Sequence, residues 1–293
     1  MKKSIIAATV LLAGSLFAQN PVQDFVKGQS FLRTRKYQQA AETFNGVAEN
    51  SKGELKTKAL LYKAIALGRD RKVSLDEALK AAGDVPAADL KAYAEMSILY
   101  SRNQWKRIVS EFAGADIGKW DEDYAYIGWT MRGVSYVNQK QYAKGIADLL
   151  PAIKNAGADQ GICLEAEGAL FQAYCQSKKY EEAVAVIERI RTEQRSLSGS
   201  YLYLGPVLAS VDAFIPLKKY DEAHRILAEL DKERKLSASD NIYGCRYFLS
   251  LGKVYQAEGK TGEAKEAFRK AAGCKNAHKY YRDQAQKALN SLK

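Results

Sequence analysis

Hydrophobic and polar residues alternate with a helical period along most of this chain, and one arrangement of them recurs. In its clearest copy, Gly252 is followed three residues later by Tyr255, and then by Ala264, Phe268 and Ala271. Small, aromatic and aliphatic residues three or four positions apart form one face of an α-helix. The polar residues between Tyr255 and Ala264 are typical of a turn. The pattern therefore predicts two amphipathic helices joined by a short turn.

The same landmarks return at a nearly regular interval. They are a small residue, an aromatic residue three positions later, a second small residue twelve after the first, and a large apolar residue four after that. The copies begin at positions 28, 64, 96, 133, 171, 211 and 252. The second copy has a longer connector, and the third keeps the spacing but lacks the small residues.

These landmarks resemble the tetratricopeptide repeat, a helix–turn–helix unit of about 34 residues. The resemblance implies an all-α fold, a right-handed α-solenoid of about seven helical hairpins, over residues 19–275. In such an array small residues let the paired helices approach, and each hairpin buries the apolar face of the next. Residues 276–293 lack the motif and are predicted to form a polar C-terminal capping helix. Pro151 falls inside a predicted second helix, which we expect it to kink or break.

The N-terminus has the pattern of a secretory signal peptide. A basic start is followed by the apolar run Ile5–Phe17, and Ala18 then precedes polar residues. We predict a signal peptide over 1–18, cleaved after Ala18. The alternative, a membrane anchor, needs about 20 apolar residues and is disfavoured. Because no later apolar run is long enough, we expect a mature chain without a transmembrane segment, exported to the bacterial periplasm or cell envelope.

The net charge is basic but dispersed. Removal of Lys2 and Lys3 lowers the formal charge from +11 to +9. Acidic and basic residues are interleaved nearly everywhere, which favours a solvated, mixed-charge helical surface. The alternative is weak attraction to anionic envelope polymers. Nucleic acid is not expected as a partner because an exported chain rarely meets it.

Candidates for catalysis or metal binding are few. The two histidines, His224 and His278, are predicted at the surface or its boundary, and no metal-ligand, phosphate-loop or dinucleotide motif is present. We therefore predict no cofactor, no metal and no enzymatic activity. The alternative is a glycan-cleaving or other hydrolytic envelope enzyme, but the repeats leave no compact catalytic domain. The carboxylates considered, all expected to be exposed on helices, are Glu165, Glu167, Glu181 and Glu182.

Four cysteines have different prospects of pairing. Cys163 and Cys175 lie on one predicted helix, about 18 Å apart, too far for a disulfide. Cys245 begins the first helix of the last hairpin and Cys274 ends the second, so antiparallel packing brings them together. A disulfide between Cys245 and Cys274 is one prediction for an exported chain, and two buried free thiols are the alternative.

The family resemblance also assigns an inner groove to the first helix of each hairpin. The tentative partner-binding residues are Phe25, Gln29, Tyr93, Ser97, Tyr100, Thr130, Gln172, Asp212 and Lys253. The same register includes Leu32, Val134, Val137, Gly168, Cys175, Leu208, Ile215, Leu249 and Gln256. This mixed lining does not resemble the Lys/Asn carboxylate clamp of chaperone-binding members of the family.

The predicted function is a non-catalytic protein–protein interaction scaffold that holds a peptide or protein segment in this groove. The alternative for several groove residues is packing against the neighbouring hairpin. For Tyr93 and Tyr100 the two interpretations differ sharply, because a stacking residue is needed for folding and an anchor is needed only for binding.

Overall fold

The computed structural model describes residues 20–157, 159–194, 196, 201–238 and 242–292. The predicted signal peptide over 1–18 lies outside these residues. Within them the regular structure is helical, with no strand. None of the described helices is both long enough and apolar enough to cross a membrane.

The chain divides into two compact units, Met1–Tyr124 and Ala125–Lys293. The first unit contains three helical hairpins and the first residues of α7. Its helices are α1 (Pro21–Arg33), α2 (Tyr37–Glu49), α3 (Gly53–Arg69), α4 (Leu75–Gly83), α5 (Ala88–Ser101) and α6 (Trp105–Glu111). A short 3-10 turn, Ile117–Lys119, precedes α7 (Glu122–Asn138).

The second unit continues the series with four more hairpins and a terminal helix. Its first three hairpins contain the rest of α7, α8 (Tyr142–Asn155), α9 (Gln160–Gln176), α10 (Tyr180–Glu193), α11 (Tyr201–Ala209), α12 (Val211–Phe214) and α13 (Tyr220–Arg234). The last hairpin pairs α14 (Ile242–Ala257) with α15 (Thr261–Gly273), and α16 (Lys279–Ser291) follows. This succession confirms the predicted all-α helical-repeat fold, with α11 and α12 together standing where one helix was expected.

The small landmark residues mark the closest approach of paired helices. A Cβ atom built on Gly28 would lie 2.7 Å from the Phe44 ring, and one on Gly252 would lie 2.5 Å from the Phe268 ring. Phe44 and Phe268 are both fully buried. The sixteen-residue spacing in these two hairpins therefore reflects a glycine that packs against a large apolar side chain of the partner helix.

The turn between paired helices has the same geometry in six hairpins. In each, one residue has a left-handed backbone with φ between 56° and 78°, the lowest value being that of Lys218. The next residue donates its amide back across the helix end, as Lys219 N does to Phe214 O at 3.0 Å. This is the Schellman arrangement that closes a helix C-terminus. The left-handed residues are Arg35, Asn103, Lys140, Lys178, Lys218 and Gly259.

We expect Lys218→Gly to raise the free energy of unfolding by about 1 kcal/mol, because a residue with a Cβ is strained in the left-handed region and glycine is not. Urea denaturation followed by circular dichroism measures the effect. Ala228, an exposed residue within α13, provides the control of opposite sign. Ala228→Gly should lower stability by about 1 kcal/mol, and a loss of stability in both variants would contradict the turn assignment.

The second hairpin closes differently. Five residues, 70–74, separate α3 from α4, against three in the first hairpin, which agrees with the longer connector predicted from the sequence. The guanidinium of Arg102 donates to the carbonyl oxygens of Gly68 at 2.6 Å, Asp70 at 2.6 Å and Val73 at 2.9 Å. One side chain from the next hairpin thus donates hydrogen bonds to carbonyl oxygens that have no helical donor after the end of α3.

The predicted break at Pro151 does not occur. Helix α8 is continuous from Tyr142 to Asn155. A proline at position 151 leaves the carbonyl of Ala147 without its helical donor, but Ala147 is exposed, so water can satisfy that oxygen. The neighbouring Leu149 and Ala152 are fully buried and hold α8 against the core of the second unit.

Candidate binding groove

A cavity of about 800 Å³ opens in the second unit, among helices that begin each hairpin. Its wall is apolar where α9 and α11 contribute Ala169, Phe171, Leu202 and Pro206. Leu202 is 38% exposed, which is high for a leucine on a helix. A recess of this volume with an accessible apolar wall is suited to receive an apolar side chain.

Polar side chains form the rim of this cavity. Gln172 and Gln176 lie four residues apart on α9 and are both exposed, so they share one helix face. Glu165, Lys178 and Asp212 add two negative charges and one positive charge. Amide groups that can both donate and accept hydrogen bonds suit the backbone of a bound peptide.

A second cavity of about 240 Å³ adjoins the first. The two share Ala209, Asp212 and Arg246, and the smaller one extends to Lys253 on α14 and to Tyr280 on α16. Together they are called the unit-2 groove below. The terminal helix, predicted only as a solubilising cap, therefore contributes one end wall of this groove.

Charges within the groove are mostly compensated. Lys253 Nζ lies 2.8 Å from Asp212 Oδ1, in an ion pair between α14 and α12. The Arg246 guanidinium donates to Gly205 O at 2.8 Å and lies 5.0 Å from the centre of the Tyr281 ring. Acidic and basic residues nearly balance along the groove, Glu165 and Asp212 against Lys178, Arg246 and Lys253, so it has no strong preference for an anionic ligand.

The one cysteine in the groove is not activated. Burial, and to a smaller extent nearby Asp212, raises the pKa of the Cys175 thiol to about 12. Since only the thiolate is a good nucleophile, Cys175 is protonated and unreactive at neutral pH. It contributes a small apolar surface to the wall.

The structure places the predicted groove residues of the second unit in two groups. Gln172, Asp212 and Lys253 lie along the unit-2 groove, together with Gly168 and Leu249 of the same register. Thr130 does not, and its assignment to the groove was wrong. It is 1% exposed, and its hydroxyl donates to Tyr126 O at 2.8 Å within α7.

In the first unit the predicted aromatic groove residues are packed against other rings. The Phe25 ring lies 5.4 Å from that of Phe44, and the Tyr100 ring lies 4.9 Å from that of Trp105. Tyr93 is 9% exposed, with its ring 4.8 Å from that of Tyr124. The Tyr93 contact joins α5 to the start of α7 and supports the alternative interpretation, stacking of hairpins, whereas the Phe25 and Tyr100 contacts each lie within one hairpin. Gln29 and Ser97 are half-buried.

Several groove residues were missed at the level of sequence. Arg246 lies seven residues before Lys253 on α14, and this spacing on one helix face was a usable signal. Leu202 and Pro206 gave no such signal, because the expected single helix is interrupted at Ser210 and the register before that point changes. Tyr280 lies outside the repeat, in α16.

One carboxylate predicted to be exposed is buried. Glu167 is 0% exposed and its Oε1 accepts a hydrogen bond from Arg189 Nε at 2.5 Å. Burial raises the pKa of Glu167, and the Arg189 charge opposes that rise only in part. Glu181 and Glu182 are exposed as predicted, and Glu165 is half-buried. Glu167 faces the interior because it lies four residues after buried Cys163 on the same side of α9.

We expect the stability of the wild type, relative to Glu167→Gln, to increase as pH falls from neutral through the raised pKa of Glu167. The folded state then binds a proton that the unfolded state does not, and this difference stabilises the folded state. The gain is complete below the ordinary pKa of a glutamate. Urea midpoints of both proteins from pH 7 to pH 4 test this, and parallel curves would show that burial does not perturb Glu167.

The histidines have structural contacts. His224 Nε2 lies 2.8 Å from Glu258 Oε2, and its ring centre lies 5.0 Å from that of Tyr255. His278 is the N-cap of α16, where its Nδ1 accepts a hydrogen bond from Tyr280 N at 3.2 Å. Among the described residues there is no cluster of three or more histidine, cysteine or acidic residues arranged to hold a metal ion.

Comparisons with known proteins agree with this architecture. A family model described as tetratricopeptide repeat matches residues 246–278, which contain most of α14 and all of α15. No curated protein sequence matches the chain.

Two solved structures resemble the fold to different degrees. A tetratricopeptide repeat protein from Parabacteroides merdae ATCC 43184 is 13% identical with a TM-score of 0.53, covering 92% of this chain and 99% of its own. The tetratricopeptide repeat domain of P58(IPK) is 15% identical with a TM-score of 0.24, covering 93% of this chain and 97% of its own. The first likeness concerns the fold alone, and the second is too distant to establish a common fold.

Repeats of this family are generally non-catalytic and form scaffolds for protein–protein interaction. The last hairpin carries the family match; the first and fourth hairpins have the same glycine contact, and all but the second have the same closing turn. The chain accordingly contains a tetratricopeptide repeat at residues 246–278 within an all-α helical-repeat fold.

Proposed function

We propose that the protein is a non-catalytic interaction scaffold that binds a peptide segment of a protein partner in the unit-2 groove. The observation that carries this proposal is the accessible apolar recess beside Leu202 and Pro206, rimmed by Gln172 and Gln176. An apolar side chain of the partner fills the recess. The side-chain amides of the two glutamines form hydrogen bonds with the backbone of the partner segment.

Charge separates this proposal from binding of anionic polymers. Two of the positive groups of the groove are engaged, Lys253 with Asp212 and Arg246 with Gly205 O and Tyr281. A polyanion would have to displace Asp212 or tolerate it. A partner segment with little net charge and one large apolar residue is not repelled by the Asp212 carboxylate.

The place of action is part of the same proposal. The basic start, apolar run and Ala18 at the N-terminus support export to the bacterial periplasm or cell envelope. Expression of the full chain in a bacterium, followed by fractionation and N-terminal sequencing, tests this. We expect a periplasmic or envelope form beginning at Gln19, whereas a cytoplasmic form that retains Met1 would contradict it.

Leu202→Asp is expected to weaken peptide binding about tenfold or more, because it places a charge on the apolar wall. The probe is a peptide selected from a random phage-displayed library on the purified full-length protein, and fluorescence anisotropy measures its affinity. We expect selected peptides to share a large apolar residue.

Leu150→Asp is the matched control. Leu150 is 47% exposed on α8 and does not line the groove. Its substitution should leave affinity within about twofold, since scattered exposed leucines contribute little to a distant site. Equal affinity of the wild type and Leu202→Asp would place binding elsewhere, and selection of acidic peptides with steeply salt-dependent binding would favour the polyanion alternative.

A further inference from the structure

Two buried cysteines meet at the end of the last hairpin. Cys245 on α14 is 0% exposed, and Cys274, just after α15, is 5% exposed. Both belong to one hydrophobic cluster that also contains Phe268 and Ala285. They therefore share the compact interior where α14, α15 and α16 meet.

Their sulfur atoms contact neighbouring backbone carbonyls of α15. Cys245 Sγ donates to Ala271 O at 3.2 Å, and Cys274 Sγ donates to Lys270 O at 3.3 Å. These acceptors belong to consecutive residues, so both thiols bond to adjacent peptide groups. In the structure the two are not joined by a disulfide. Cys163 and Cys175 lie on α9 and have no comparable cysteine neighbour among the described contacts.

We propose that Cys245 and Cys274 are a disulfide site that closes the last hairpin when the chain folds in an oxidising compartment. A thiolate of one cysteine attacks an external disulfide, such as oxidised glutathione, and forms a mixed disulfide with release of one thiol. The second thiolate attacks the mixed disulfide and releases the other thiol. The two cysteines lose two protons and two electrons, and the external disulfide is reduced to two thiols.

The bond would stabilise the end wall of the groove. Arg246 follows Cys245 directly and lies against the Tyr281 ring of α16, while Cys274 precedes α16 by a short connector. A covalent link between positions 245 and 274 therefore ties the α14 end that holds Arg246 to the start of the terminal helix. The inference does not depend on a peptide in the groove, and the two can fail separately.

Burial of the two thiols determines whether the disulfide forms during folding or afterwards. Burial and contact with Cys274 together raise the pKa of Cys245 to about 12, so little thiolate is present in the folded protein. Reaction with an external disulfide requires the thiolate. We therefore expect oxidation during folding, before the pair is buried, and much slower oxidation of the folded, reduced protein.

The test begins with the full-length protein denatured, reduced and refolded in a buffer of reduced and oxidised glutathione. After alkylation of free thiols in denaturant, peptide mapping by mass spectrometry identifies linked cysteines. We expect Cys245 linked to Cys274, and Cys163 and Cys175 alkylated. Alkylation of all four, or any linkage that includes Cys163 or Cys175 as the main product, would overturn the proposal.

A second measurement does not rely on mapping. Addition of reductant should lower the urea midpoint of the refolded wild type and of Cys163→Ala, which keeps the pair. It should not change the midpoint of Cys274→Ala. Equal sensitivity to reductant in Cys274→Ala and the wild type would show that this pair does not form the stabilising bond.

Discussion

Phe268→Ala is expected to lower the free energy of unfolding by about 4 kcal/mol. Phe268 is fully buried, and its ring contacts the backbone of α14 at Gly252. Removal of the ring loses apolar burial and leaves a cavity that two rigid helices cannot close. Urea denaturation monitored by circular dichroism measures the loss, and hydrogen exchange of α14 and α15 amides localises it.

The contact between Gly252 and Phe268 can be tested as a pair. A Cβ at Gly252 would lie 2.5 Å from the ring, so Gly252→Ala should overpack the interface and cost about 1–3 kcal/mol. In the double variant the new methyl group meets the space left by Phe268. We expect its cost to be smaller than the sum of the single costs by about 1 kcal/mol or more.

Gly262→Ala is the matched control in the same hairpin. No atom lies within 4 Å of a Cβ built on Gly262, so its substitution should leave stability unchanged or slightly higher. If Gly252→Ala were as well tolerated as Gly262→Ala, the close approach of α14 and α15 would not be the reason for a glycine at 252.

Arg132→Met should destabilise the protein by about 3–5 kcal/mol. Arg132 on α7 donates twice to Asp148 on α8, from Nε at 2.7 Å and from Nη2 at 2.8 Å. Both side chains are about nine-tenths buried. Removal of the guanidinium leaves the Asp148 carboxylate buried with its main partner gone, which is far more costly than loss of a surface ion pair.

Replacement of both partners distinguishes the net contribution of the ion pair to stability from the penalty of burying one unpaired charge. Arg132→Met combined with Asp148→Leu should return stability to within about 1 kcal/mol of the wild type or above it, because neither charge then needs desolvation. A double variant as unstable as Arg132→Met would show that packing volume, not the buried charge, causes the loss.

An exposed pair provides the control for this experiment. Arg107 donates to Glu111 from Nε at 2.6 Å, with about 40% of each side chain exposed. Arg107→Met should cost no more than about 0.5 kcal/mol, because solvent screens the interaction. Thermal and urea denaturation of the three variants alongside the wild type complete the comparison.

The candidate site was predictable where one helix face continued without interruption. The register of α9 placed Gln172 and Gly168 on the groove wall, and that of α14 did so for Leu249 and Lys253. The register was misleading at Thr130, which is buried within α7. It did not identify Leu202 and Pro206, because they precede the interruption at Ser210. A sequence register extends only as far as its helix remains regular.

The hairpins follow from local sequence, since the pairing of Gly28 with Phe44 or Gly252 with Phe268 and the closing turns depend on contacts a fixed number of residues apart. Which side chains are accessible depends on packing between helices distant in sequence. Tyr93 became a stacking residue against Tyr124, Glu167 was buried beside Arg189, and α16 brought Tyr280 to the groove. The physical reason is that helical periodicity gives the direction of a side chain, whereas its burial depends on the element that packs over it.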